Sequence, residues 1–181
     1  MTPLTLGSHV DILVGGKTPL NARAGTNLIG AFHQPDIVIC DPSALATLSE
    51  RERRAGYAEV AKYAAIRDAA FFEWLEGNKE AVLDAQAGAC ARAVERSCAM
   101  KAAIVAADER ETGDRALLNF GHTFGHALEA ACGFSDRLLH GEAVAAGMAL
   151  AFDYSAARGL CAADEAARFK QHLRAAGLPA G

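Results

Sequence analysis

The sequence lacks an excess of basic residues, a long apolar run and any Cys-x-x-Cys pair, and each absence excludes a class of protein. Lys and Arg number 18 against 22 Asp and Glu, giving a net charge of −4, and they are dispersed, so no surface for nucleic acid is predicted. No apolar run approaches the ~18 residues of a membrane span, and the first residues lack the basic flank and apolar core of a signal peptide. We therefore expect a cytoplasmic protein with a small-molecule partner, and no contact with nucleic acid or membrane.

The cysteines show no pattern of pairing. Five are present, an odd number, at positions 40, 90, 98, 132 and 161. Disulfide frameworks and cysteine metal sites are recognised by even counts and close spacings, which this sequence does not have. We expect reduced thiols that serve as small core residues, without disulfides and without a cysteine-ligated metal.

β-Branched residues are sparse after about residue 60, where alanine is abundant, so most of the chain is predicted to be helical. The first third differs, because it holds most of the proline and turn-forming residues and one strand candidate, Asp36 to Asp41. Ser49 and Glu52 form a capping box that starts the first helix. The predicted helices span residues 49–67, 69–76, 79–86, 89–107, 115–129, 142–158 and 163–176.

The predicted helix 115–129 carries polar residues where a helix normally presents its apolar stripe. They stand at positions 115, 119, 122, 126 and 129, in alternating steps of four and three, with leucine and phenylalanine around them. His122 and His126 are one turn apart, the geometry that two imidazoles need to share a metal or an anion. The alternative is two core histidines that neighbouring carbonyls satisfy. Gly121 and Gly125 add a smooth strip where another backbone or a ligand could come close.

Other polar residues also stand in unusual positions. Glu59 and Lys62 share a helix face with small residues, so they are either buried or form a surface pair three residues apart. Lys101 occupies an apolar stripe, unless its side chain extends from it to the surface. His140 begins a helix, where free backbone N–H groups favour a ligand or an anion.

Together these residues predict a metal site beside an anion-binding surface. A catalytic zinc requires three ligands of the histidine and carboxylate kind and an open position. Spacing alone favours His122 and His126 as the histidine pair. The candidate ligands are Glu59, His122, His126 and His140, and the cationic and hydrogen-bonding residues are Lys17, Lys62, Lys101, Arg115 and Asn119.

Lys17 follows a glycine pair in a segment that looks like a phosphate loop. The match fails, because the pattern GxxxxGK[ST] requires glycine at position 11, where this chain has Asp11. What remains is a flexible turn whose lysine is either solvated or in contact with a ligand.

Several segments follow one another in an order and spacing that belong to a known family. They are GGKT at 15–18, NLIGAFHQP at 27–35, RAGYAEV at 54–60, KY at 62–63, DERE at 108–111, LLNFGHTFGHA at 117–127 and LHGEAV at 139–144. With these segments the chain resembles 3-dehydroquinate synthase from about position 11 to its end.

The resemblance implies a mainly α, multihelical metal-binding domain of the dehydroquinate synthase-like fold at residues 49–181. Residues 1–48 would be a remnant, a strand and loops, of a nucleotide-binding α/β domain. Members of this family are homodimeric lyases of the shikimate pathway. They convert a small anionic phosphorylated sugar acid, 3-deoxy-arabino-heptulosonate 7-phosphate, to 3-dehydroquinate and phosphate, with NAD and one zinc or cobalt ion.

The same resemblance implies a role for each site residue. It makes Glu59, His122 and His140 the metal ligands, in place of the histidine pair that spacing favours. His126 then lines the substrate site as a catalytic residue together with Lys62, Lys101, Arg115 and Asn119. The residues matched to the NAD site are Asp11, Lys17, Ala44, Leu45, Ala46 and Thr47.

The departures from the family pattern fall on the nucleotide side. Ile12 and Leu13 stand where the family has two serines, Pro19 where it has glycine, and Thr26 where it has lysine. By this resemblance we expect the family's N-terminal nucleotide-binding domain and a basic C-terminal segment to be missing from the chain, which would cover roughly the middle half of the family's length. We expect a largely complete metal site, a partial substrate site and no NAD binding at micromolar strength. The alternatives are a related sugar phosphate cyclase, a metal-dependent polyol dehydrogenase, and a non-catalytic metal-binding remnant.

Overall fold

The computed structural model describes residues 5–10, 36–37, 39–108 and 113–181 in full, and residues 11–12, 20–22 and 25–29 by their backbone. A π-helical turn, Ser8–Ile12, precedes an antiparallel hairpin of β1 (Leu20–Ala22) and β2 (Gly25–Ile29), in which Leu20 pairs with Ile29 and Ala22 with Gly25. The remaining elements are a 3₁₀ helix (Pro42–Thr47), α1 (Glu50–Arg67), α2 (Ala69–Leu83), α3 (Ala87–Ala107), a second 3₁₀ helix (Asp114–Asn119), α4 (His122–Ala131), α5 (His140–Ala157) and α6 (Ala163–Ala175). The described part of the chain is therefore mainly helical, as predicted.

Helix α1 lies at the centre of the helical part of the described structure. The predicted capping box is present, because the Ser49 side chain accepts from the backbone N–H of Glu52 and the Glu52 carboxylate accepts from the backbone N–H of Ser49. Every residue from 56 to 64 is buried, since α2, α3 and α5 pack around this helix. A polar side chain in this segment is therefore enclosed by the core. None of the described helices is long and apolar enough to cross a membrane.

The strand prediction for residues 36–41 is wrong. The described residues of this segment form no strand, and Ile37 and Ile39 are 75% and 67% exposed. An apolar run becomes a strand only where a neighbouring strand pairs with it. Asp41 instead caps the first 3₁₀ helix by accepting from the backbone N–H of Ser43.

Two predicted helices, 69–76 and 79–86, are a single helix, α2. The prediction ended the first one before Gly77 and Asn78, two residues that disfavour helix interiors. A glycine costs only about 1 kcal/mol relative to alanine at such a position, and the Asn78 amide donates to the carbonyl of Trp74 at 2.8 Å. The packing of α2 against α1 overrides this local preference.

The single helix predicted for residues 115–129 is instead two elements. Gly121 has φ of +82°, a left-handed conformation that ends the second 3₁₀ helix and lets α4 start at His122. The polar residues Arg115 and Asn119 therefore do not share one continuous helix face with His122.

The cysteines are free thiols, as predicted. Cys90 is fully buried, and Cys98 packs beside the π-helical turn, where its Sγ lies 3.3 Å from the carbonyl oxygen of His9. Burial raises the pKa of the Cys98 thiol to about 11, so it is protonated at neutral pH.

Candidate metal centre

Three side chains from three helices meet at one point beside α1. Glu59 lies in the buried middle of α1, whereas His122 and His140 are the first residues of α4 and α5. Glu59 Oε1 lies 3.8 Å from His122 Nε2 and 3.6 Å from His140 Nε2. One potential ligand atom from each of the three residues lies within 4.8 Å of the other two.

These distances fit an ion better than they fit hydrogen bonds. A hydrogen bond between nitrogen and oxygen spans about 2.7–3.2 Å, so both separations are too long for one. Two ligands bonded at about 2.1 Å to one tetrahedral ion lie about 3.4 Å apart, close to the observed values. Glu59 Oε1 is buried and accepts no hydrogen bond from the described residues. A buried carboxylate oxygen without a partner is costly, and a divalent cation between the three side chains would satisfy it.

The other oxygen of Glu59 is held by Lys62. Lys62 Nζ lies 2.6 Å from Glu59 Oε2, and the two side chains are 1% and 4% exposed. The alternative of a surface pair is therefore wrong. A buried carboxylate requires a compensating charge, and Lys62 supplies one while leaving Oε1 directed at the histidines.

The backbone before His122 holds its ring in the orientation that a metal ligand would need. Its Nδ1 lies 3.3 Å from the carbonyl oxygen of Phe120, so an N–H at Nδ1 donates there and the lone pair of Nε2 faces Glu59. Burial lowers the pKa of His122 below its ordinary value, although the Glu59 carboxylate opposes this effect. The neutral imidazole that results is the form that binds metal.

Glycines bring the three helices close enough for these side chains to meet. A Cβ on Gly141 would lie 1.9 Å from the carbonyl oxygen of Ala55, so the start of α5 rests directly on α1 one turn before Glu59. A Cβ on Gly147 would lie 2.0 Å from the carbonyl oxygen of Gly121, so the middle of α5 rests on the start of α4. The smooth strip predicted at positions 121 and 125 is therefore confirmed as a surface for another backbone, that of α5.

His126 lies on the outer side of this group. Its ring centroid is 5.5 Å from that of His122 and 6.1 Å from that of His140, and the residue is exposed. His126, Glu129 and His140 form a second set of potential ligand atoms within 4.8 Å of one another. Spacing along one helix could not decide between the two histidine pairs, because His140 enters from the next helix.

The cationic residues predicted to line the substrate site lie on three elements: Lys62 on α1, Lys101 on α3 and Arg115 on the second 3₁₀ helix. Lys101 on α3 is 8% exposed and Arg115 on the second 3₁₀ helix is 5% exposed, so an extended, solvated Lys101 is the wrong alternative. Asp108, which ends α3, accepts from the backbone N–H groups of Gly113 and Arg115 and joins α3 to the second 3₁₀ helix. Asn119 is exposed. The substrate-binding roles of these residues stay predictions.

The predicted NAD residues belong to the least described part of the chain. Lys17 lies outside the described residues, and only the backbone of Asp11 is described. Residues 44–47 belong to the first 3₁₀ helix. Leu45 is 1% exposed and packs into the core, whereas Ala46 and Thr47 are exposed. Their nucleotide-binding roles stay predictions.

Sequence reasoning missed Glu129 beside the site and the burial of His9. Glu129 was one of the polar positions of the helix 115–129 but received no role, and its carboxylate lies 3.1 Å from His140 Nδ1. His9 is fully buried in the π-helical turn, where Nδ1 lies 2.7 Å from the carbonyl oxygen of Thr5. No periodicity in residues 1–9 signals that burial.

Comparison with known proteins places the chain in a family. The family model described as 3-dehydroquinate synthase C-terminal matches residues 56–181, and that described as 3-dehydroquinate synthase N-terminal matches residues 1–55. The chain belongs to the 3-dehydroquinate synthase family. The two matches divide within α1, close to the domain boundary predicted between residues 48 and 49, which stays a prediction.

Close relatives of the chain carry the same family name. A 3-dehydroquinate synthase of Rhodopseudomonas palustris (strain ATCC BAA-98 / CGA009) is 61% identical over 177 residues, which are 98% of this chain and 46% of the relative. The one from Caulobacter vibrioides (strain NA1000 / CB15N) is 58% identical over 177 residues, or 98% of this chain and 48% of the relative. The chain therefore spans about half the length of the relatives it matches.

Solved structures of sugar phosphate cyclases share the fold. The 2-epi-5-epi-valiolone synthase of Streptomyces hygroscopicus subsp. jinggangensis 5008, solved with NAD⁺ and Zn²⁺ bound, matches with a TM-score of 0.89 and 35% identity, over 99% of this chain and 50% of its own. A 2-deoxy-scyllo-inosose synthase complexed with carbaglucose-6-phosphate, NAD⁺ and Co²⁺ matches with a TM-score of 0.87 and 24% identity, over 99% and 50%.

Proposed function

We propose that this chain forms the metal-binding and part of the substrate-binding portion of a 3-dehydroquinate synthase. The reaction converts 3-deoxy-arabino-heptulosonate 7-phosphate to 3-dehydroquinate and phosphate, with NAD and one zinc or cobalt ion. The observation that carries the proposal is the position of Glu59 Oε1, which is buried without a hydrogen-bond partner among the described residues. It lies 3.8 Å and 3.6 Å from the Nε2 atoms of His122 and His140, separations that suit two ligands of one metal ion.

Glu59, His122 and His140 would hold the ion. A divalent cation bound there supplies a Lewis acid that lowers the pKa of a substrate hydroxyl and orients the substrate. Lys62 fixes the Glu59 carboxylate in place by pairing with Oε2, which leaves Oε1 for the ion. His126 is proposed to exchange a proton with a bound substrate, and its exposure on the outer side of the group supports this role.

The buried cations suit the charge of the proposed substrate. Lys101 and Arg115 are largely removed from water, so an anionic group that reaches them gains more than it would at an exposed site. A sugar acid phosphate carries two such groups, a carboxylate and a phosphate. Lys101, Arg115 and Asn119 are therefore proposed to bind the substrate rather than the metal.

NAD is proposed as a cofactor of the complete enzyme. The relatives are about twice as long as this chain. The residues that depart from the family pattern all fall in the segment matched to the nucleotide site; they are Ile12, Leu13, Pro19 and Thr26. We expect isothermal titration of the chain alone to show no micromolar NAD binding, while metal binds. A cytoplasmic location and a homodimer are part of the same proposal.

A related sugar phosphate cyclase is the second candidate, and the likeness to 2-epi-5-epi-valiolone synthase favours it. The ring skeleton of the product separates the two activities. The assay mixes the chain with a separate nucleotide-binding half, NAD, metal and each substrate in turn. Turnover of the heptulosonate phosphate alone supports the first candidate. No turnover with any substrate favours a non-catalytic metal-binding remnant.

Metal analysis of protein purified without chelator tests the ligand set directly. We expect about one zinc or cobalt ion per chain in the wild type and near zero in Glu59→Gln, His122→Ala and His140→Ala. His126→Ala is the matched control, because it removes a neighbouring imidazole and should keep the metal. Loss of metal in His126→Ala with retention in His140→Ala would overturn the ligand set. Far-UV circular dichroism of the metal-free proteins checks that each variant is folded.

A further inference from the structure

The carboxylate of Glu129 holds the outer nitrogen of His140. Glu129 Oε1 lies 3.1 Å from His140 Nδ1, while His140 Nε2 lies 3.6 Å from Glu59 Oε1. The ring of His140 therefore stands between two carboxylates, one on each nitrogen. The side chain of Glu129 is only 14% exposed, whereas that of His140 is 49% exposed.

This contact decides which nitrogen of His140 carries the proton. A neutral imidazole has one N–H and one lone pair. If Nδ1–H donates to Glu129, the lone pair is at Nε2, directed at Glu59 and at the site of the ion. A half-exposed ring without this contact would rotate and exchange tautomers, and only some of its states could bind the ion.

The two histidines of the site are held by different acceptors. His122 is largely buried and needs only the neutral carbonyl of Phe120 at 3.3 Å to orient it. His140 is more exposed, and Glu129 supplies a charged acceptor. Of these two acceptors, a carboxylate forms the stronger hydrogen bond with an imidazole N–H and so holds the ring more firmly in the orientation that a metal needs.

We infer that Glu129 is a positioning residue for the metal site, acting through His140; this inference rests on the proposed function. The competing arrangement is a second cation held by His126, Glu129 and His140. A neutral His140 cannot bind an ion in each of the two sites, because it has only one nitrogen lone pair. The second ion would need that lone pair on Nδ1, and the first would need it on Nε2.

Titration of the metal-free 181-residue chain with Zn²⁺ tests the inference. For Glu129→Ala we expect a stoichiometry of one ion and a dissociation constant raised about 10- to 100-fold, the usual effect of losing an outer-shell carboxylate. Glu129→Gln should show a smaller rise, because its amide oxygen still accepts from Nδ1–H without the negative charge. The matched control is Glu95→Ala, an exposed glutamate on α3, which should bind as the wild type does.

Each outcome separates the inference from the proposed function. A wild type that binds no stoichiometric Zn²⁺ overturns the proposed function itself. A wild type that binds one ion, with Glu129→Ala unchanged in affinity, overturns the role of Glu129 alone. Two ions in the wild type and one in Glu129→Ala would assign Glu129 to a second cation site instead. If Glu129→Ala fails to fold, the graded loss in the isosteric Glu129→Gln decides, and an unchanged affinity there refutes the inference.

Discussion

A single methyl group at position 141 should separate α5 from α1 and disable the proposed metal site. The Cβ of alanine at position 141 would lie 1.9 Å from the Ala55 carbonyl oxygen, and real Cβ contacts start at about 3.0 Å, so the backbones must part by about 1.1 Å, the difference of the two. Overpacking of this kind costs roughly 1–3 kcal/mol or more. The gain in helix propensity is about 1 kcal/mol. The net effect should be destabilising, since the added Cβ meets a backbone carbonyl oxygen, which cannot rotate away as a side chain could.

The same displacement should weaken metal binding. Position 141 follows His140, and Ala55 stands one turn before Glu59, so these two proposed ligands move apart with their helices. Metal–ligand distances in a well-formed site lie within about 0.2 Å of their usual values, and the expected movement is several times larger. We therefore expect Gly141→Ala to lower the free energy of unfolding by about 2 kcal/mol and to raise the dissociation constant for Zn²⁺ at least tenfold.

Urea unfolding of the metal-free protein and Zn²⁺ titration measure the two effects separately. The matched control is Gly77→Ala in α2, where no atom lies within 4 Å of the added Cβ. That variant should gain roughly 0.5–1 kcal/mol from helix propensity and bind metal unchanged. A Gly141→Ala variant as stable as the wild type, with the same Zn²⁺ affinity, would show that the contact between α5 and α1 does not position His140.

Two further predictions concern buried charge. Burial lowers the pKa of His172 from its ordinary 6.5 to about 4. As the pH falls, this histidine is therefore protonated in the unfolded chain before it is protonated in the folded chain, and the free energy of unfolding should decrease between pH 6.5 and pH 4. Urea unfolding across this window should show a smaller loss in His172→Gln than in the wild type, and equal losses would contradict the shift. Lys62→Met leaves the Glu59 carboxylate buried without its cation, so the metal-free protein should lose about 3–5 kcal/mol. Zn²⁺ should restore part of that loss, measured as a rise in Tm, and no rise would contradict an ion beside Glu59.

Local signals predicted the helices whose ends they mark. The capping box at Ser49 predicted the start of α1, and Gly159, with φ of +69°, ends α5 as a C′ glycine. The strand at residues 36–41 and the break before Gly77 were wrong, because both depend on what packs against the segment. An apolar hexapeptide has no partner strand of its own, and a weak helix position is rescued by its neighbours.

The site shows the same division between local and tertiary information. Periodicity identified Glu59 and Lys62 as residues with unusual neighbours, but it could not decide whether they were buried, because that depends on the helices around α1. The choice of His140 over His126 came from the family resemblance. Chain spacing could not supply it, since His140 begins a different helix and the glycine contacts that bring it to Glu59 are tertiary.

The polar stripe of residues 115–129 explains why helical spacing identified His122 but did not identify the whole group of proposed ligands. Helical periodicity placed five polar residues on one face, but Gly121 breaks that face and leaves only His122, His126 and Glu129 together on α4. Each of these three borders His140, at ring-centroid distances of 5.3 Å and 6.1 Å for the histidines and 3.1 Å for the Glu129 carboxylate. A polar face on a packed helix requires a polar partner. That partner is His140, the first residue of α5. The polar stripe therefore lies along one side of the proposed site, whose other two ligands, Glu59 and His140, belong to the neighbouring helices α1 and α5.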